Sequence, residues 1–214
     1  MHKEELLTRI RQTGIVPVLR APSQSLGMQL AEAIVAGGID ILEVTMTVPG
    51  AIEIIAQLRK ERPELLVGAG TVLNPETAQA CIDEGAQFIV SPALNIATIE
   101  TCLKANVLIF PGALTPTEIL TAWQAGGDVI KVFPASAMGG ASYLKSIKAP
   151  FPQIQLIPTG GVSLTTAKDF LAAGAIALGV GADLCDPNAL AQGRPDRITE
   201  IARAYRQIVV ETQT

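Results

Sequence analysis

Histidine is all but absent from this chain. The single one, His2, stands beside the first residue, so histidine-based catalytic triads, histidine metal sites and histidine acid–base chemistry are excluded. Aromatic residues are scarce too, at 4% of 214 residues. The core must therefore be built from Ala, Val, Ile and Leu, a composition suited to helices packed on a parallel sheet. The three cysteines, Cys81, Cys102 and Cys185, are odd in number, far apart and without a CxxC spacing, which excludes a disulfide framework or a cysteine metal site. They read as buried, reduced thiols of a cytosolic protein. No cluster of Lys or Arg forms a basic face, and the net charge of −4 argues against nucleic acid and lipid surfaces. No apolar run reaches membrane-spanning length, and the opening MHKEELLTRIRQ is amphipathic and carries acids, unlike a secretion signal. These absences lead to the expectation of a soluble, cytoplasmic protein whose partner is a small molecule.

What the chain does have is alternation. Short β-rich runs at 14–20, 40–46, 65–71, 87–91, 107–111, 128–133, 154–159 and 175–179 are separated by segments with apolar spacing of three and four, such as Ile52, Ile55 and Leu58. Helix starts are signalled at Asn74-Pro75 and Thr115-Pro116, and helix ends at Gly37, Gly85, Gly126 and Gly174. Eight such units in one chain of this length predict a single domain over 1–214, a (β/α)8 TIM barrel. The amphipathic segment 2–13 is expected to cap the bottom of the barrel. A doubly wound open sheet is the alternative, but the first strand ends in Arg20-Ala21-Pro22 and lacks the glycine-rich dinucleotide turn.

With histidine set aside, the lysines can be sorted by place. Lys3, Lys60, Lys104, Lys145, Lys148 and Lys168 fall on helical segments, whereas Lys131 stands in a strand of otherwise apolar residues, Asp128-Val-Ile-Lys-Val-Phe-Pro134. Alternation puts it on the face shared with Val129 and Phe133. Burial favours the neutral form of any lysine, and a neutral amine is what attack on a carbonyl needs. A lysine snorkelling to the rim or locked in an ion pair is the bland alternative. Glu43 is the one acidic residue well inside a strand, on a face with Ile41 and Thr45, and a carboxylate beside an amine can carry protons to and from a reacting carbonyl. Strand ends add Arg20, Thr47, Thr71 and Thr159 at the C-terminal mouth, where barrel active sites form. Gly160 and Gly161, before a helix expected near Ser163, and Gly179 and Gly181 read either as an anion cradle or as ordinary glycine-rich turns.

The segments Leu42-Glu-Val-Thr45, Val67-Gly-Ala-Gly-Thr-Val72, Phe88-Ile-Val-Ser-Pro92, Pro111-Gly112, Ile130-Lys-Val-Phe-Pro134 and Pro158-Thr-Gly-Gly-Val162 together resemble the 2-keto-3-deoxy-6-phosphogluconate (KDPG) aldolase family, which includes 4-hydroxy-2-oxoglutarate (KHG) aldolases. The resemblance spans nearly the whole chain. It implies a class I aldolase with its Schiff-base lysine at Lys131 and its proton-shuttling glutamate at Glu43. It also implies a homotrimer with no metal and no organic cofactor. Thr71, Pro92, Phe133 and Thr159 would line the keto-acid pocket, and Gly160, Gly161 and Gly181 would bind phosphate. Two departures stand out: Thr47 where many members carry a carboxylate-binding arginine, and Ala182 where many carry a phosphate-binding serine. Arg20, ending the neighbouring strand, is expected to take the first role. The missing hydroxyl at Ala182 removes a charge-assisted hydrogen bond worth about 1.5–3 kcal/mol.

The function so implied is cleavage of KDPG to pyruvate and glyceraldehyde 3-phosphate, of KHG to pyruvate and glyoxylate, or of both. An aldolase for 2-keto-3-deoxy-6-phosphogalactonate or another 4-hydroxy-2-keto acid is the near alternative. A phosphate-binding barrel without imine chemistry, isomerase or synthase, and a non-catalytic sugar-acid binder are the more distant ones.

Overall fold

The computed structural model describes residues 2–213. Strands and helices alternate along the chain: α1 (Lys3–Thr13), β1 (Ile15–Leu19), α2 (Gln24–Ala36), β2 (Ile41–Thr45), α3 (Ala51–Glu61), β3 (Leu66–Gly70), α4 (Pro75–Asp83), β4 (Phe88–Val90), α5 (Ile96–Lys104) and β5 (Leu108–Phe110). There follow β6 (Gly112–Ala113), α6 (Pro116–Gln124), β7 (Ile130–Val132), a 3-10 turn (Ala135–Met138), α7 (Ala141–Lys148), β8 (Leu156–Pro158), α8 (Ala167–Ala172), β9 (Leu178–Val180), α9 (Pro187–Ala191) and α10 (Pro195–Gln213). The fold is α/β, and every strand pair among the described residues is parallel. One sheet runs β5-β4-β3-β2-β1-β9 and a second β6-β7-β8.

The sequence predicts one ring of eight strands; among the described residues there are nine shorter ones in two ladders. Pro111, which has no N–H to donate, divides the fifth expected strand's surroundings into β5 and the two-residue β6. Local bonds join the two sheets. Asp128 N donates to Ile109 O (3.0 Å) and Lys131 N to Pro111 O (3.0 Å) on one side. On the other side Ile176 N donates to Leu156 O (3.0 Å), and isolated bridges pair Leu156 with Ala175 and Thr159 with Gly179.

Alternation sorts the side chains into two cores. Ile130, Val132, Leu42 and Val44 pack outward against the helices. Val16, Ile41, Leu66, Phe88, Leu108, Phe110, Val129 and Ile157 pack together on the opposite face with Leu6, Leu7 and Ile10 of α1. Helix α1 therefore closes the N-terminal end of the strands, as its amphipathic pattern predicts. Its polar face is tied down by Lys3 to Asp128 (3.0 Å), Arg9 to Asp40 (2.6 Å) and Arg11 to Gln155 (3.0 Å).

Helix starts follow their capping side chains. Asn74 Oδ1 accepts from Thr77 N (2.8 Å), and Thr115 forms a reciprocal capping box with Glu118. Helix α2 ends at Gly37 as expected, with the left-handed turn falling on Gly38 (φ +86°), and a Cβ on Gly37 would meet the Ala202 Cβ at 2.3 Å. One local expectation changes. The helix expected near Ser163 begins at Ala167, since the Thr166 hydroxyl binds Gly161 O (2.9 Å) and accepts from Ser163 N (2.9 Å), holding a turn before it. No helix among the described residues is long and apolar enough to cross a membrane.

Candidate active site

Strand alternation places Lys131 one interior position above Val129, and Glu43 one above Ile41. Both are buried, with side-chain exposures of 6% and 2%. Lys131 Nζ and Glu43 Oε1 stand 3.6 Å apart, an ion pair too long to be a hydrogen bond. Glu43 Oε1 accordingly has no hydrogen-bond partner. A buried charged oxygen left without one carries a desolvation cost that a purely structural pair would avoid. Burial pushes the Glu43 carboxyl above its ordinary value, an effect that the nearby charges of Lys131 and Arg20 oppose without cancelling. The phenyl ring of Phe133 lies on the same face, its centroid 5.6 Å from Lys131 Nζ.

What lets the glutamate reach this position is glycine. A Cβ on Gly70 would come within 2.1 Å of Glu43 Oε1, so the carboxylate lies directly against the bare β3 backbone. Gly68 likewise admits the Phe88 ring, at 2.5 Å from such a Cβ, and Gly179 admits the Thr159 hydroxyl at 2.1 Å. Beside the pair, Thr45 donates to Leu19 O (2.9 Å) and its hydroxyl meets that of Thr47 (2.7 Å).

At the C-terminal mouth a cavity of about 380 Å³ brings together Arg20, Phe133, Thr159, Gly160, Gly161, Gly181 and Ala182. Val18, which pairs with Glu43 in the ladder, forms part of its floor. Gly160 and Gly161 both take left-handed φ, +88° and +76°, which turns the loop after β8 across the mouth. Thr47, Thr71 and Pro92 are not in this lining. Thr47 is exposed and engaged with Thr45, whereas Thr71 and Pro92 are half-buried at the ends of β3 and β4. Thr71 holds φ of +57°, an unusual conformation for a β-branched residue and one found where a backbone is constrained for function.

Sequence reasoning overlooked Gly70 and Asp183, and it read Gly179 as part of an anion cradle or a turn rather than as room for the Thr159 hydroxyl; Gly179 and Asp183 both line the cavity. The alternation of glycines in Gly68-Ala-Gly70 was a usable signal, since glycine inside a strand marks a close approach. Nothing local marked Asp183. The three cysteines offer no competing nucleophile: all are free and buried, and burial raises Cys81 to about 11 and Cys102 to about 12, with Cys185 also displaced upward. Lys131 and Glu43 are not themselves in the cavity lining; they adjoin it through Phe133, whose ring faces Lys131 Nζ, and Val18, which pairs with Glu43, so a buried amine and a proton-carrying carboxyl lie next to a cavity that holds one arginine and several glycines.

A family model described as KDPG and KHG aldolase matches residues 6–201. The KHG/KDPG aldolase of Escherichia coli K12 is 38% identical over 201 residues, 94% of this chain and 92% of the relative. The 2-dehydro-3-deoxy-phosphogluconate aldolase of Dickeya dadantii is 36% identical over 189 residues, 88% of this chain and 89% of its own length. Among solved structures, the KDPG aldolase of Legionella pneumophila, with pyruvate captured as a covalent carbinolamine, superposes with a TM-score of 0.87 at 30% identity, covering 93% of this chain and 97% of that one.

Proposed function

Because the chain belongs to the KDPG and KHG aldolase family and is therefore an aldolase, a lyase, we propose that it cleaves KDPG, KHG or both through an imine on Lys131. The observation that carries this reading is the buried Lys131–Glu43 pair, 3.6 Å apart and lacking the hydrogen bond a structural ion pair would make. The Lys131 amine attacks the C2 carbonyl, and Glu43 assists loss of water to give a protonated imine, an electron sink. Glu43, directly or through water, then takes the C4 hydroxyl proton. The C3–C4 bond breaks and the aldehyde leaves: glyceraldehyde 3-phosphate from KDPG, glyoxylate from KHG. The enamine left on Lys131 is protonated and hydrolysed to pyruvate. The covalent carbinolamine of the Legionella relative supports this sequence.

In this reading Arg20 binds the substrate carboxylate in place of the family arginine replaced by Thr47. Phe133 and Thr159 of the cavity lining, with Thr71 and Pro92 from outside it at the ends of β3 and β4, enclose the keto acid, and Gly160, Gly161, Gly181 and Ala182 face the substrate tail. The bonds across both seams of the two sheets support closure into one (β/α)8 ring, a single catalytic domain over 1–214. The family resemblance supports a cytoplasmic homotrimer, and exposed Leu73 and Ile96 supply apolar surface for such contacts.

Borohydride reduction in the presence of pyruvate tests the chemistry. The expected result is a mass gain of one reduced pyruvyl group on Lys131, lost in Lys131→Met together with more than about a thousandfold of turnover. In Arg20→Ala the adduct should still form, at about tenfold higher pyruvate. Folded, pyruvate-treated protein with no mass gain would rule out the imine, and unchanged pyruvate dependence in Arg20→Ala would rule out its role.

A further inference from the structure

Resting on that aldolase reading, we infer that Asp183 is a specificity-determining residue, steering the site toward 4-hydroxy-2-keto acids whose tail is hydroxylated and unphosphorylated. Asp183 follows Ala182 directly and lines the same cavity. Its Oδ2 accepts from the Tyr205 hydroxyl (2.5 Å) and from Leu164 N (3.3 Å). Leu164 belongs to the turn after Gly160 and Gly161, so the carboxylate spans the two loops that carry the glycine-rich cradle. Tyr205, a residue of α10, is fully buried, and although Asp183 is exposed its bonds to Tyr205 and Leu164 anchor the carboxylate at the rim of the cavity.

The cradle itself is suited to an oxygen-rich group. The amides of Gly161, Gly181 and Ala182 donate no hydrogen bond among the described residues. A phosphate seated on those amides would be a dianion placed beside a fixed carboxylate. Among the described lining residues Arg20 is the one cation, and in the proposed function it is taken up by the keto-acid carboxylate. Like charges held together in a cavity oppose binding. Hydroxyl groups meet no such penalty: they accept from the free amides and donate to Asp183 Oδ1, which has no partner among the described residues. The alanine at position 182 and the aspartate at 183 thus act in the same direction, one removing a phosphate donor and the other adding a repulsive charge.

The experiment compares KM and kcat for KDPG and for the same sugar acid without its phosphate, in the wild-type protein and in Asp183→Asn, with KHG cleavage as the reference reaction. Asparagine keeps an oxygen for Tyr205 and Leu164, so the loops stay joined. The wild-type protein should show a KM for KDPG about tenfold or more above that for the unphosphorylated acid. Asp183→Asn should lower the KDPG value by about tenfold at unchanged kcat and strengthen inhibition by inorganic phosphate to a similar degree. A wild-type preference for KDPG, or a KDPG KM unmoved by Asp183→Asn, would overturn the inference while KHG cleavage leaves the aldolase reading standing. Cleavage of none of the three acids by the wild-type protein would instead overturn that reading, and this inference with it.

Discussion

At Glu43 two opposing effects act on one carboxyl. Burial disfavours its charge while Lys131 and Arg20 favour it, and burial prevails, raising the group above the ordinary 4.5 of a glutamate. A carboxyl raised this way releases its proton later on the pH scale, so the form able to act as a base is lost as pH falls through the raised value. The acid limb of kcat should therefore lie above the ordinary glutamate range. Glu43→Gln should remove that limb and lower kcat by about 10²–10⁴-fold while borohydride still traps pyruvate on Lys131, more slowly. A pH–rate profile of both proteins checks this, and an acid limb that survives in the glutamine variant would assign it to another group. Stability carries its own sign. Because the folded-state value is raised, Glu43 contributes fully below the unfolded value, and that contribution is lost as pH rises through the folded one.

Strand β3 shows how much of such a site is visible before folding is known. Its placement, the interior face of β2 and β7, and the selection of Lys131 and Glu43 all follow from period-two alternation, a property of neighbours in sequence. What alternation cannot give is which atoms meet across strands. Gly70 matters because Glu43, on the adjacent strand, lies against its Cα; Gly37 matters because α10 packs there; Asp183 matters because Tyr205, 22 residues on, holds it. The boundary at Ala167 likewise depends on the Thr166 hydroxyl choosing Gly161 O over continued helix. Gly70→Ala isolates this effect. A methyl 2.1 Å from Glu43 Oε1 must displace the carboxylate, and a displacement of about 1 Å is expected to cost up to about 10²-fold in kcat. KM should change little, because Gly70 does not line the cavity. Kinetics at a temperature where circular dichroism shows the variant folded would decide it; wild-type kcat would mean that the carboxylate position is not critical.

Over the whole molecule, two ladders must behave as one body for Lys131, on the smaller sheet, to stay in register with Glu43, on the larger. At the β5 side Asp128 joins them, beside the Lys131 N to Pro111 O bond. Its N–H donates to Ile109 O, its Oδ2 accepts from Ile109 N (2.9 Å), and the same carboxylate holds Lys3 of the capping helix at 3.0 Å. Two components can be separated by substitution. Asp128→Asn keeps an acceptor for Ile109 N and loses only a partly exposed ion pair, worth about 0–1 kcal/mol. Asp128→Ala also strands a backbone N–H on a buried strand, which costs about 1–3 kcal/mol more. Urea unfolding followed both by far-ultraviolet circular dichroism and by the fluorescence of Trp123, the one tryptophan, on α6, which packs against β6 and β7 of the smaller sheet, reads the result. The two signals should coincide in the wild-type protein and shift together in Asp128→Ala, with Asp128→Asn lying close to wild type. Separate transitions for the two probes in wild-type protein would mean that the ladders unfold as independent units and that the seam at Asp128 does not couple them.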